Sequence, residues 1–220
     1  MNTQIIQSLL IDAPPLLLAI TLHEAAHGYA ARRFGDNTAY MLGRVSLNPL
    51  KHIDPVGTIL IPLLLKLAGS PFLFGYAKPV PVNFRNLRNP KKDMIWVALA
   101  GPGSNMIQAL CWGILYYIGA ASIGYDSYLT SMAQAGILWN IILAVFNLFP
   151  LPPLDGGRIL TGLLPYPQSY SFSKIEPYGF FIVLGLAMTG ILGSIWIEPL
   201  MDVAYTILDL ILTPIRLFLT

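Results

Sequence analysis

The chain has 220 residues, of which 55% are hydrophobic and only 11% charged, and its mean hydropathy is +0.63. Soluble domains carry about 25% charged residues, so this composition excludes an ordinary water-soluble enzyme and points to one polytopic integral membrane protein. A net charge of +2 argues against a nucleic-acid partner, and the single cysteine, Cys111, excludes an internal disulfide or a cysteine metal cluster.

The first apolar run, 8–31, is long enough to cross a bilayer. It lacks the basic leader of a signal peptide, and cleavage after Ala25 or Ala31 would damage the motif described next. Inside it stands His23-Glu24-Ala25-Ala26-His27. Positions i and i+4 share a helix face, so the two imidazoles can reach one zinc ion, with Glu24 beside them to take a proton from water. Ionisable groups at such depth are costly and mark function. After Arg32 and Arg33, Gly35-Asp36-Asn37 signals a turn. Residues 39–47 alternate like a strand, and Asn48-Pro49 ends them. The apolar stretch 56–68 is short for a crossing, at about 20 Å as a helix. Residues 73–82, with Pro79 and Pro81, suit an edge strand or extended segment. The stretch 84–93 is polar and basic. Three further membrane segments follow at 94–121, with an interruption at Gly101-Pro102-Gly103-Ser104-Asn105, at 131–149, and at 178–197. The segment 199–219 carries Asp202 and Asp209 on one face and is open between spanning and lying in the interface.

Two histidines leave a catalytic zinc short of a ligand, since three protein ligands plus water are usual. Asp155 stands out. It follows an apolar helix broken by Pro150, Pro152 and Pro153 and precedes Gly156-Gly157, and irregular backbone at membrane depth survives only where protein or a wet cavity surrounds it. If Asp155 and His27 hold one ion, an even number of crossings separates them. Segments 94–121 and 131–149 supply two, so 56–68 should not complete a crossing. Basic residues agree: Arg32, Arg33, Arg44 and Lys51 precede that segment, and Lys78, Arg85, Arg88, Lys91 and Lys92 follow it. Both flanks are then cytoplasmic, with the N-terminus outside and the site toward the cytoplasmic half. His52, beside Lys51 and Asp54, reads as structural, and Asn105 as an interhelical hydrogen-bonding residue. The Gly-Pro-Gly run reads as a close-packing kink. A metal transporter would need further ligands along a path, and the sequence offers one cluster.

These motifs resemble the site-2 proteases, intramembrane zinc metalloproteases. The resemblance rests on His-Glu-x-x-His in an early membrane helix followed by Leu154-Asp155-Gly156-Gly157 after a later one. Supporting it are Gly101-Pro102-x-Ser104-Asn105, Asn147 with Pro150-x-Pro152-Pro153, and the run Asn48-Pro49-Leu50-Lys51-His52-Ile53-Asp54-Pro55. The likeness is to a compact prokaryotic branch without a PDZ domain or other soluble accessory domain. It implies a single metalloprotease domain over 1–220, with a core at about 8–158 and C-terminal helices at 178–220. It implies one Zn2+ held by His23, His27 and Asp155, Glu24 as catalytic base, and Asn147 near the substrate. The substrate would be a membrane protein cut within or beside its transmembrane segment, in the cell (inner) membrane, with the strand candidates 39–47 and 73–82 clamping it by edge pairing. The expected fold is all-α and polytopic, with about four to five transmembrane helices, a small β-element, and a re-entrant or non-spanning segment near the site.

Overall fold

The computed structural model describes residues 3–61, 64, 67, 75 and 77–219. Helix α1 spans Thr3–Phe34 and continues through Pro14 and Pro15. Its end is a Schellman closure: Gly35, at φ +115°, donates to Arg32 O, and Asp36 N donates to Ala31 O. That pairing satisfies carbonyls the helix leaves open, and Arg32 and Arg33 complement its negative end.

No strand occurs among the described residues, so the small β-element is not found there. Residues 39–47 begin instead as the one-turn helix α2, Thr38–Met41. The reason is local. Asp36 accepts from the backbone N–H and the hydroxyl of Thr38, which starts a helical turn, and Gly43 at φ +62° closes it. The apolar alternation was a coincidence of this turn and the irregular link after it. Residues 77–82 are neither helix nor strand, while 73, 74 and 76 lie outside the described residues. Asp54 caps a π-type turn at Pro55–Leu60, accepting from Val56 N and Gly57 N. Most of 61–68 lies outside the described residues. One hydrogen bond nevertheless fixes the net path: Arg88 N donates to Phe34 O at 3.0 Å. The chain leaves the end of α1 and returns to it, so 35–87 makes no net crossing, as the metal-site argument requires.

Helix α3, Pro90–Ile123, follows at once. The expected interruption at 101–105 is absent, and the helix runs through Pro102. Ser127 caps α4, Tyr128–Asn147. A turn at 148–154 leads into α5, Asp155–Leu163, then α6, Tyr166–Ser173, and α7, Glu176–Met188. The segment expected as one span, 178–197, breaks after Met188 at Gly190, where φ is +76°. The helical stretch Gly193–Leu219, which ends in α8, Glu198–Leu219, lies at 89° to α7.

By length and apolarity α1, α3 and α4 can each cross a membrane, and the bent α7–α8 pair makes a fourth if it counts as one span. The chain is thus an integral membrane protein. Helix α3 is the hub. Ala109 on α3, Ile141 and Val145 on α4, and Ala204, Leu208 and Leu212 on α8 form one buried cluster. Small residues set the spacing: a Cβ on Gly136 would lie 2.4 Å from the Trp112 ring, and one on Gly113 2.3 Å from Leu212. Ala204, Leu208 and Leu212 recur every fourth residue and dock α8 on this core, while Asp202 and Asp209 face outward.

Candidate metal centre

His23 and His27 lie one turn apart on α1 and face α3 and the start of α5. His23 Nε2 and His27 Nε2 are 3.0 Å apart, and each is 3.2 Å from Asp155 Oδ2. All three side chains are buried. The sequence thus brought together the three ligand candidates that the structure gathers, across 128 to 132 residues of chain.

The far side of each ring fixes its tautomer. His23 Nδ1 meets Asn105 Oδ1 at 2.6 Å, and His27 Nδ1 meets the carbonyl of Val97 at 2.7 Å. Both partners are acceptors, so each Nδ1 carries the proton and each neutral ring turns a bare Nε2 lone pair inward. Asp155 Oδ2 is buried with no hydrogen-bond partner. Three lone-pair atoms facing one another at this range repel unless a cation joins them. Ligand atoms tetrahedrally arranged at zinc distances of about 2.0–2.1 Å would sit roughly 3.3 Å apart, close to the spacing here. The donor set therefore fits zinc.

Two glycine-dependent approaches make the convergence possible. A Cβ on Gly101 would stand 2.3 Å from His27 Nε2 and 2.6 Å from His23 Nε2. Gly101 is thus the opening in α3 through which the imidazoles meet, which is the close packing expected of the Gly-Pro-Gly run. Where the 148–152 turn meets α5, a Cβ on Gly156 would lie 2.0 Å from Leu148 O, and one on Gly157 2.1 Å from Pro152 N. Only glycines let α5 abut that turn and bring Asp155, its first residue, to the histidines.

Asn105 is fully buried. Its amide nitrogen donates to Ala19 O at 3.2 Å and to Asn140 Oδ1 at 2.8 Å, and Asn140 donates back to Gly136 O. The interhelical reading of Asn105 holds, and the structure adds the contact to His23 that the sequence reading missed. Asn105 shares a face with Gly101 four residues earlier, and that spacing becomes a signal only once Gly101 is set against the histidines. Glu24 takes a different direction, its Oε2 accepting from Val80 N–H at 2.7 Å. Asn147 bonds its own helix, donating to Leu143 O at 2.9 Å. His52 is buried away from the metal group, with Nε2 against Ser46 O at 2.8 Å. A clamp by 77–82 finds few donors: Lys78 N serves His52 O, Val80 N serves Glu24, and prolines 79 and 81 have none.

Comparisons with known proteins bear on this arrangement. The profile of peptidase family M50 matches residues 113–189, a stretch holding Asp155 but not the histidine helix. The protein named "Putative zinc metalloprotease YwhC" from Bacillus subtilis is 40% identical over 193 residues, 85% of this chain and 84% of the relative. "Putative zinc metalloprotease Rip2" from Mycolicibacterium smegmatis is 29% identical over 83% of this chain and 68% of its own length. "Zinc metalloprotease MJ0392" from Methanocaldococcus jannaschii is 23% identical over 70% of this chain and 34% of its own. No solved structure matches the chain.

Proposed function

The chain belongs to peptidase family M50, the site-2 proteases, and from that premise we propose that this membrane zinc metalloprotease is an endopeptidase working within the bilayer. Its substrates are membrane proteins, cut in or beside a transmembrane segment as in regulated intramembrane proteolysis. His23, His27 and Asp155 hold the single zinc ion. The observation that carries the reading is the convergence of three buried lone-pair atoms at 3.0–3.2 Å with no hydrogen bond available to Asp155 Oδ2.

Zinc in such a site activates water and polarises a carbonyl. The protein's own groups do the rest. Glu24 removes the proton from the attacking water as the new C–O bond forms, then delivers it to the amine released when the C–N bond breaks. Asn105 and the Val97 carbonyl hold the two imidazoles in the ligating tautomer. Asn147, at the end of α4, faces the substrate. Peptide bonds inside an intact helix are shielded, so the substrate unwinds at its cut site. The basic flanks at 32–51 and 78–92 support a centre toward the cytoplasmic side.

The test pairs wild type with Glu24→Gln in detergent. Both are assayed for cleavage of a model substrate whose membrane helix is weakened by Gly and Pro, and for bound zinc. Stoichiometric zinc in both with cleavage by wild type alone is expected. Cleavage by Glu24→Gln sinks the base assignment, and absence of zinc in both sinks the site.

A further inference from the structure

Residues 78–83 form a strap across α1, and its attachments are unusually complete. Lys78 N donates to His52 O at 2.9 Å. The Arg44 guanidinium donates through Nη2 to Lys78 O at 3.0 Å and to Pro79 O at 3.3 Å. At the other end Asn83 N donates to Asp36 Oδ2 at 2.7 Å. Between these ties Val80 is buried against Gly28, whose missing side chain makes the room: a Cβ there would be 3.2 Å from Val80 Cγ1.

Pro79 and Pro81 strip the strap of backbone donors on either side of Val80 and bias Lys78 and Val80 to extended backbone. One N–H remains between Lys78 and Val82, and it points at Glu24 Oε2 at 2.7 Å. A carboxylate on an exposed rotamer would swing among several positions. One pinned through one oxygen presents the other in a fixed direction, which is the kind of preorganisation that a base needs to meet a water at hydrogen-bond range. A strap meant to open would not be tied to the buried His52 segment and to buried Asp36.

We propose that the Val80 backbone amide is a positioning group for Glu24, held in place by the Arg44, His52 and Asp36 ties, and that the prolines flanking it keep that amide as the strap's single donor at the site. The inference rests on Glu24 being the base.

Two measurements test it. The first needs no catalysis. In zinc-free protein, amide exchange at Val80 is followed by NMR or fragment-resolved mass spectrometry. The Val80 amide should exchange slowly in wild type and at least about tenfold faster in Glu24→Ala, with the Lys78 and Asn83 amides unchanged. Equal rates at Val80 overturn the contact. The second replaces Val80 by its α-hydroxy analogue, turning the Pro79–Val80 amide into an ester, which deletes the N–H and weakens Pro79 O as the 3.3 Å acceptor of Arg44 while leaving the Arg44 bond to Lys78 O, with Val80→Ala as the control that keeps the amide. The ester should lower kcat about 10- to 100-fold, as loss of a supporting contact does, with KM and zinc stoichiometry unchanged. Unchanged kcat overturns the proposal, and raised kcat does so by marking the strap as an obstruction. A wild type that cleaves nothing overturns the catalytic reading and this role with it, while the exchange result still decides the contact.

Discussion

Asn105 and Gly101 show how much chemistry one helix face can carry. Among the described residues Asn105 is the only side chain on the outer nitrogen of His23, so Asn105→Leu frees the ring to rotate or to change tautomer. Zinc affinity should fall about 10- to 100-fold, the usual cost of losing such a partner, when titrated against a competing chelator. Asn140→Leu, which touches His23 only through Asn105, should weaken zinc less. Equal losses would mean that the effect is one of packing. Gly101→Ala is harsher. Its new methyl group would fall within 2.3 Å of His27 Nε2, so the variant should fold and bind no zinc by atomic absorption, since alanine otherwise favours a helix interior by about 1 kcal/mol. Stoichiometric zinc in that variant would show that the two helices can separate. The ligand candidates were legible in the sequence because His-Glu-x-x-His carries its own periodicity and Asp155 was the carboxylate stranded in broken apolar chain. Gly101 was not legible as part of the site, because a missing side chain gives no signal until its neighbour is known.

At the scale of elements, the link between α1 and α3 turns on Asp36. Its carboxylate accepts from Thr38 N, the Thr38 hydroxyl, Asn83 N and Asn86 Nδ2, so it ends one helix, starts the next and anchors the strap. Burial works against its charge, yet these hydrogen bonds outweigh burial and hold the carboxyl below its usual range. A depressed folded-state pKa adds stability that is complete above the unfolded value near 3.8 and is lost as pH falls through the lower folded value. Thermal unfolding of the detergent-solubilised protein should therefore show an acid limb below about pH 4 that Asp36→Asn flattens. At pH 7, Asp36→Ala should cost about 1–3 kcal/mol by stranding buried donors. An acid limb identical in Asp36→Asn would assign the acid sensitivity elsewhere. Here the sequence misled in one place: alternation at 39–47 imitates a strand, whereas Asp36 and Gly43 impose a turn of helix. Capping depends on where two short residues fall, and a period-two pattern cannot register that.

Across the whole molecule, depth and sidedness follow from a few contacts. Gly101 meets the histidines about 16 Å along α3 from Pro90 and about 33 Å from Ile123, at 1.5 Å per residue. A hydrocarbon core of about 30 Å centred on α3 would take in the metal group, nearer the end where Arg88 is bonded to Phe34. Two ligands on one ion must share a depth whatever the loops between them do, so the return of the chain to the end of α1 was legible in the sequence alone. The break at Gly190 was not, since a glycine in an apolar run looks the same inside a span as at a right-angle bend. Sidedness is the last prediction. The basic residues gather at the α1–α3 junction, so the positive-inside rule predicts a cytoplasmic location for that face and an external one for the α3–α4 turn around exposed Asp126. In a Cys111→Ser background, Asp126→Cys should react with a membrane-impermeant maleimide on intact cells, and Lys92→Cys, also exposed, only after permeabilisation. Reversed labelling would put the metal group in the opposite half of the membrane and leave the arginines and lysines without their orienting role. Labelling of both sites on intact cells would mean that α3 does not cross at all, which its burial of the His23–Asn105 contact at mid-helix makes hard to reconcile with a single-sided protein.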